Sequence, residues 1–179
     1  MIKDIKLDIQ EGTLVAIIGD TGAGKSTVMN CLNGSDTGGM EGSVKYKGIN
    51  LIKKFSQLKW IIGSVPQKNI FNEEMTVEEQ LMMEASRMLP RDTSKTEIKD
   101  IVNKTLKQLG IENVRNNQIA KCSGGEQRRV SIGMQLVADK QFICMDEPEA
   151  GLDPRNKRNL FETLRNLAPV SYTHLTLPT

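Results

Sequence analysis

The stretch GDTGAGKST (Gly19–Thr27) fits the spacing G-x-x-x-x-G-K-[ST]. That pattern suits a polyphosphate. Gly22 and Gly24 let the backbone curl so that its N–H groups point inward at phosphate oxygens. Lys25 supplies positive charge between the β- and γ-phosphates, and the Ser26 hydroxyl ligates Mg²⁺. Gly19, Asp20, Thr21, Ala23 and Thr27 complete the loop and the start of the next helix. A glycine-rich turn with a surface lysine would share the letters. Here, however, an apolar run (LVAIIG, 14–19) precedes and a helical pattern follows, which is the context the loop needs.

A second constellation lies far downstream. FICMDEP (142–148) is a short apolar strand by composition that ends in Asp146 and then Glu147. Asp146 can hold Mg²⁺, directly or through water. Glu147, one residue on, can orient and deprotonate an attacking water. Taken alone, two acids at a strand end read as solvated; downstream of a phosphate loop they read as catalytic. Between the two lies CSGGEQRR (122–129). Ser123 caps a helix and Glu126 caps back, with Val130, Met134 and Val137 as its buried stripe. Gly124 and Gly125 expose N–H groups at that helix start, a second anion site. Two such helix ends on one chain suggest a dimer in which each copy closes the other's site.

Positioning these groups takes an α/β pattern. IKLDI (5–9) alternates like a half-exposed strand, and LVAIIG reads as a strand buried on both faces. A helix over about Lys25–Asn33 turns Val28, Cys31 and Leu32 to one face and closes at Gly34. GSVKYKGINL (42–51) reads as strands with a turn at Gly48-Ile49, and WIIGSVPQ (60–67) as another strand. Capping boxes at Thr76/Glu79 and Ser94/Glu97 open helices with stripes through Leu81 and Ala85, and through Ile98, Val102, Leu106 and Leu109. NKRNLFETLRNLA (156–168) is helical.

The chain's 179 residues suit one domain, and a net charge of +2 argues against nucleic acid or an acidic partner. Three cysteines without metal-ligand spacing read as free thiols in a reducing compartment. No apolar run approaches the roughly 20 residues of a membrane span, and Lys3 and Asp4 follow Met1 too closely for a signal peptide. The expectation is a soluble chain whose membrane link, if it has one, comes through a partner.

In these motifs the sequence resembles the ATP-binding cassette (ABC) ATPases along nearly its whole length. GDTGAGKST resembles their Walker A, CSGGEQ their LSGGQ signature with Cys122 for leucine and Glu126 before Gln127, FICMDE their Walker B, and AGLD (150–153) their D-loop. Gln67, ending IIGSVPQ, matches the Q-loop glutamine in order and context. SGGEQRRVSIGMQLV looks most like the ABCG (White-type) branch, whose signature helix reads close to SGGERKRVSIG. The resemblance implies a P-loop NTPase core with a parallel sheet, an antiparallel β-subdomain and a helical signature subdomain (insert about 72–135). It implies ATP and Mg²⁺ as cofactors. Gln67 would sense the γ-phosphate and Mg²⁺; Ser123, Gly124 and Gly125 would contact the nucleotide of an opposite subunit; Asp153 would cross the dimer interface. The implied partners are a second nucleotide-binding domain and a transmembrane domain or subunit, at the cytoplasmic face of a membrane.

Two features depart from the family. There is no aromatic before Tyr46 to serve as the upstream adenine platform, and Glu149 and Ala150 stand where Thr and Ser are common. The only histidine, His174, follows the last helix too closely: four residues (170–173) separate it from Pro169, too few for a loop and a buried strand. Residues 1–168 are therefore read as a cassette incomplete at both ends, and 169–179 as a non-native tail. Weak hydrolysis is expected of such a fragment. A non-transport ABC ATPase (translation or DNA repair) and an ATP sensor without turnover are the rival readings.

Overall fold

The computed structural model describes residues 4–20, 22–35, 38 and 41–168, and the backbone of 173–177. Among the described residues four parallel strands form the main sheet: β1 (Leu14–Ala16), β4 (Ile62–Val65), β5 (Phe142–Asp146) and β6 (Thr173–Leu177), in the order β1-β6-β5-β4. A separate antiparallel pair, β2 (Lys45–Tyr46) and β3 (Ile49–Asn50), turns through Lys47 and Gly48. Both turn residues have positive φ, 47° and 79°, the backbone that matches strand twist in a two-residue hairpin. The turn thus sits one residue earlier than its spacing suggests.

The helices form where local chemistry starts and stops them. α1 (Lys25–Asn33) begins at Gly24 (φ 89°) and ends at Gly34 (φ 75°). Its buried apolar residue is Met29, packed with Val15, Ile17, Leu32 and Cys144, so the core-facing stripe is rotated from the one centred on Val28 and Cys31. After the single-turn α2 (Phe55–Leu58), three helices build one lobe: α3 (Val77–Met88), α4 (Lys95–Leu109) and α5 (Gly124–Val137). All three open with the capping boxes read from the sequence, on Thr76, Ser94 and Ser123. Their apolar stripes merge with Val65, Ile143 and Met145 of the sheet and Leu160 and Leu164 of α6 (Pro154–Leu167) into one core. Gly133 of α5 lets that helix close on its neighbours: an added Cβ would lie 3.0 Å from Leu109 and 3.1 Å from Leu81.

The caps make lobe stability pH-dependent. Hydrogen bonds to Ser94 hold the Glu97 carboxyl below its ordinary 4.5, and the Thr76 backbone and hydroxyl do the same for Glu79. A depressed folded pKa contributes stability that is present above the unfolded value and lost as pH falls through the folded one. Glu97→Ala is expected to lower the urea midpoint at pH 7, and the gap to the unsubstituted chain should close as the pH drops below about 4. A gap of equal size at pH 7 and pH 3 would count against the cap.

Three expectations change. Residues 5–9 form no strand; Ile5 and Leu7 are 56% and 50% exposed, because among the described residues no strand offers that backbone a ladder. β1 is an edge strand rather than one buried on both faces, and Ile18 just beyond it is 81% exposed. The third concerns the tail. The count before His174 expects no strand there, yet Thr173–Leu177 lies between β1 and β5. The strand runs through the histidine instead of ending before it, and 169–172 lie outside the described residues. The ladders that β1 and β5 offer on their facing sides are filled by this segment.

Candidate functional site

Every strand of the main sheet runs the same way, so the loops after β1, β4 and β5 emerge on one edge. In open α/β sheets that carboxyl edge is where ligands bind. It carries the glycine loop, Gln67 and the Asp146-Glu147 pair.

The loop enters α1 through Gly22 (φ 83°) and Gly24 (φ 89°), conformations that cost glycine little. No side chain caps the N-terminus of α1 and no acidic residue sits in its first turn, so its N–H groups and dipole are available to an anion. The Lys25 Nζ donates to the Gly19 carbonyl at 2.7 Å and the Asp20 carbonyl at 3.1 Å. The ammonium is thereby held over the loop's own concavity, where phosphate oxygens can replace these acceptors. Ser26 and Thr27 are exposed on the first turn. Thr21 lies outside the described residues.

Strand register brings Gln67 and Glu147 together. Val65 pairs with Met145, and each of the two residues lies two positions further on. The Gln67 Nε2 donates to the Glu147 Oε2 at 2.8 Å. Glu147 takes φ 43°, a left-handed conformation rare outside glycine. Such strain at a carboxylate on a ligand-binding edge marks a residue whose direction matters. The turn behind it is closed by the Ala150 N–H donating to the Glu147 carbonyl at 3.0 Å.

His174 does not share this edge. It pairs with Ile143, three residues before Asp146. At about 3.3 Å per residue its backbone stands about 10 Å short of the strand's carboxyl end.

At the start of α5 the capping box closes as its letters predict. The Ser123 N–H and hydroxyl both donate to the Glu126 carboxylate at 2.8 Å, so this helix start already holds a negative group. These capping bonds involve Ser123 and not the N–H groups of Gly124 and Gly125. Gln127 donates instead to the Ile119 carbonyl at 3.0 Å, tying the helix to the preceding loop. Gly124 and Gly125 face the next segment: their Cβ positions lie 4.0 Å from Leu152 and 3.5 Å from Asn156. Asp153 caps α6, accepting from the Asn156 N–H at 3.1 Å, the Asn156 side-chain amide and the Arg155 N–H at 3.0 Å, and these bonds, those from Asn156 foremost, hold its carboxyl below the usual range. The starts of α5 and α6 therefore sit side by side, with Asp153 serving as a local cap.

No group of three His, Cys, Asp or Glu side chains able to hold a metal occurs among the described residues. Ser26, Asp146 and Gln67 all lie at or beyond the ends of strands that finish on this carboxyl edge. The cysteines are all free, and burial pushes the Cys144 thiol up to about 12, so it is an inert core group.

One residue was missed by sequence reasoning. Arg128 is only a letter of CSGGEQRR with no role assigned to it from the sequence, yet it is 4% exposed. Its Nε donates to the Pro148 carbonyl at 3.0 Å, Nη1 to the Pro66 carbonyl at 2.5 Å and Nη2 to the Asp146 carbonyl at 2.8 Å. The available signal was its place four residues before Ile132, on the buried stripe of α5.

A sequence profile of the ABC transporter family matches residues 2–150. An ABC transporter ATP-binding/permease protein of Mycobacterium tuberculosis is 34% identical over 94% of this chain and 19% of its own length. An ABC transporter G family member of Arabidopsis thaliana is 34% identical over 94% of this chain and 24% of its own length. The G family is one of several branches that match, since an A family member of Dictyostelium discoideum is also 34% identical, over 93% of this chain and 19% of its own length. Among solved structures, cbiO1 of Clostridium perfringens, part of the ABC transporter complex cbiONQ, superposes with a TM-score of 0.84 at 27% identity, covering 99% of this chain and 71% of that one. The chain spans about a fifth to a quarter of the length of the curated relatives it matches.

Proposed function

The chain belongs to the ABC transporter family, and from that premise we propose that it is the nucleotide-binding unit of a transporter, which binds MgATP and hydrolyses it to drive membrane segments carried by a partner or by the same polypeptide. Residues 1–168 form the nucleotide-binding unit in this reading, with the helical insert over about 72–135. The supporting observation is the 2.8 Å contact between Gln67 and Glu147 on the sheet edge that also carries the glycine loop.

Each residue has a task there. N–H groups at the start of α1 and the Lys25 ammonium bind and orient the phosphates. Ser26, Asp146 and the Gln67 carbonyl would hold Mg²⁺, which when bound neutralises charge on the β- and γ-oxygens. Glu147 accepts a proton from the attacking water, and Gln67 fixes the direction of its carboxylate. A second copy or a related domain would add the Ser123–Gly125 helix start. No helix among the described residues is long and apolar enough to cross a membrane, so this unit would act on spans located elsewhere. A fused permease in one relative's name and a multi-subunit complex in a solved structure's description support that arrangement.

Phosphate release from MgATP, with binding followed by a fluorescent ATP analogue, tests the proposal. Mg²⁺-dependent release with saturable binding is expected, even if turnover is slow. Binding without any release would favour the ATP-sensor alternative, and no binding would sink both.

A further inference from the structure

Arg128 has no role in the chemistry proposed above, yet its guanidinium touches both loops that carry it. Three of its nitrogens donate to main-chain carbonyls, of Pro66 before Gln67 and of Asp146 and Pro148 on either side of Glu147. Longer contacts run from Nη1 to the Asn69 side chain at 3.3 Å and to the Gln67 carbonyl at 3.4 Å. Ser131, one turn along α5, donates to the same Asn69 oxygen at 2.8 Å. The fork is 4% exposed, with the negative charges of Glu149 and Asp146 beside it offsetting the desolvation that pulls its pKa down. A buried cation that spends its donors on backbone oxygens is an expensive way to fill a core, and a hydrophobic residue of similar size would often serve stability as well. Its planar, rigid set of donors does what an apolar side chain cannot: it fixes two loops from different strands relative to one another.

We propose that Arg128 is a positioning residue for hydrolysis, setting the distance and direction between Gln67 and Glu147 by clamping the backbone of both loops to helix α5. The proposal rests on the reading of Glu147 as the group that activates water. Because Ser123 caps α5, the clamp also ties the capped helix start to the water-activating carboxylate through a helix of 14 residues. A displacement of that helix moves both loops together.

The test uses the full chain with Arg128→Gln, which removes the fork, and Arg128→Lys, which keeps the charge but can reach fewer of the carbonyls. A loop shift on the order of 1 Å at a catalytic pair costs about 100-fold in rate. We therefore expect kcat to fall about 100-fold in Arg128→Gln and about 10-fold in Arg128→Lys, with MgATP affinity within about 3-fold, since no phosphate ligand is touched. Amide hydrogen exchange should rise at 67–70 and 146–150 while α3 and α4 stay protected. Turnover within 2-fold of the unsubstituted chain, loss of binding in step with turnover, or unfolding of both variants would make Arg128 a core anchor and overturn the proposal. An unsubstituted chain that releases no phosphate would count against Glu147 as the activating base, and the exchange pattern would then decide the clamp: a local rise supports it and a uniform rise or none overturns it.

Discussion

Glu147→Gln is expected to lower ATP turnover by about 10²–10⁴-fold while MgATP stays bound. Glutamine keeps the size and one acceptor oxygen but cannot take a proton from water. Neighbouring contacts should survive the change. Gln67 donates to a Glu147 oxygen, and the amide oxygen of glutamine can still accept that bond. The φ of 43° belongs to the turn, whose closing bond runs through the Glu147 carbonyl to the Ala150 N–H and not through the side chain. The signature is therefore a split: kcat falls and binding holds, with ATP rather than ADP recovered from the protein after incubation. Single-turnover phosphate release with quantified bound nucleotide measures it. Turnover within 3-fold of the unsubstituted chain would remove Glu147 from the mechanism.

Lys25→Ala should show the opposite split, losing affinity first. The Lys25 ammonium is held by two loop carbonyls at 2.7 and 3.1 Å, so it is already placed where phosphate oxygens would gather. A hydrogen bond to a charged group is worth about 1.5–3 kcal/mol. Its loss corresponds to about 10–150-fold in Kd for MgATP. The fold should be nearly indifferent, because the side chain is only half-buried and its bonds stay within the loop. Titration of a fluorescent ATP analogue against both proteins, with thermal melting as the control, reads this directly. A Kd unchanged within 2-fold would contradict the assignment of the loop as the phosphate site.

Much of this site was legible from spacing, and the reason is locality. The glycine loop works through residues within nine positions of one another, so the left-handed backbone at Gly22 and Gly24 is anticipated by residue type. The capping boxes on Thr76, Ser94 and Ser123 join residues three apart, and each forms as its letters predict. The same locality yields the stripe of α4 and its stop at Gly110 (φ 63°). Gln67 was singled out only by resemblance, since a polar residue after a strand carries no chemistry in its letters.

What spacing could not reach is pairing across distance. Gln67 meets Glu147 across 80 residues because Val65 and Met145 share a register, and register depends on a packed sheet. Residues 5–9 have the alternation of a strand and form none, because a ladder takes two partners. Thr173–Leu177 has weak strand letters and joins the centre of the sheet, because β1 and β5 leave a ladder to fill. Arg128 is the clearest divide. Its letter says charge and surface, and burial is a property of everything packed around α5. The sequence alone determined which residues could handle a phosphate and where the helices begin. Tertiary packing decided which side chains meet, because that depends on strand order, register and the cost of leaving a backbone group or a charge unpaired.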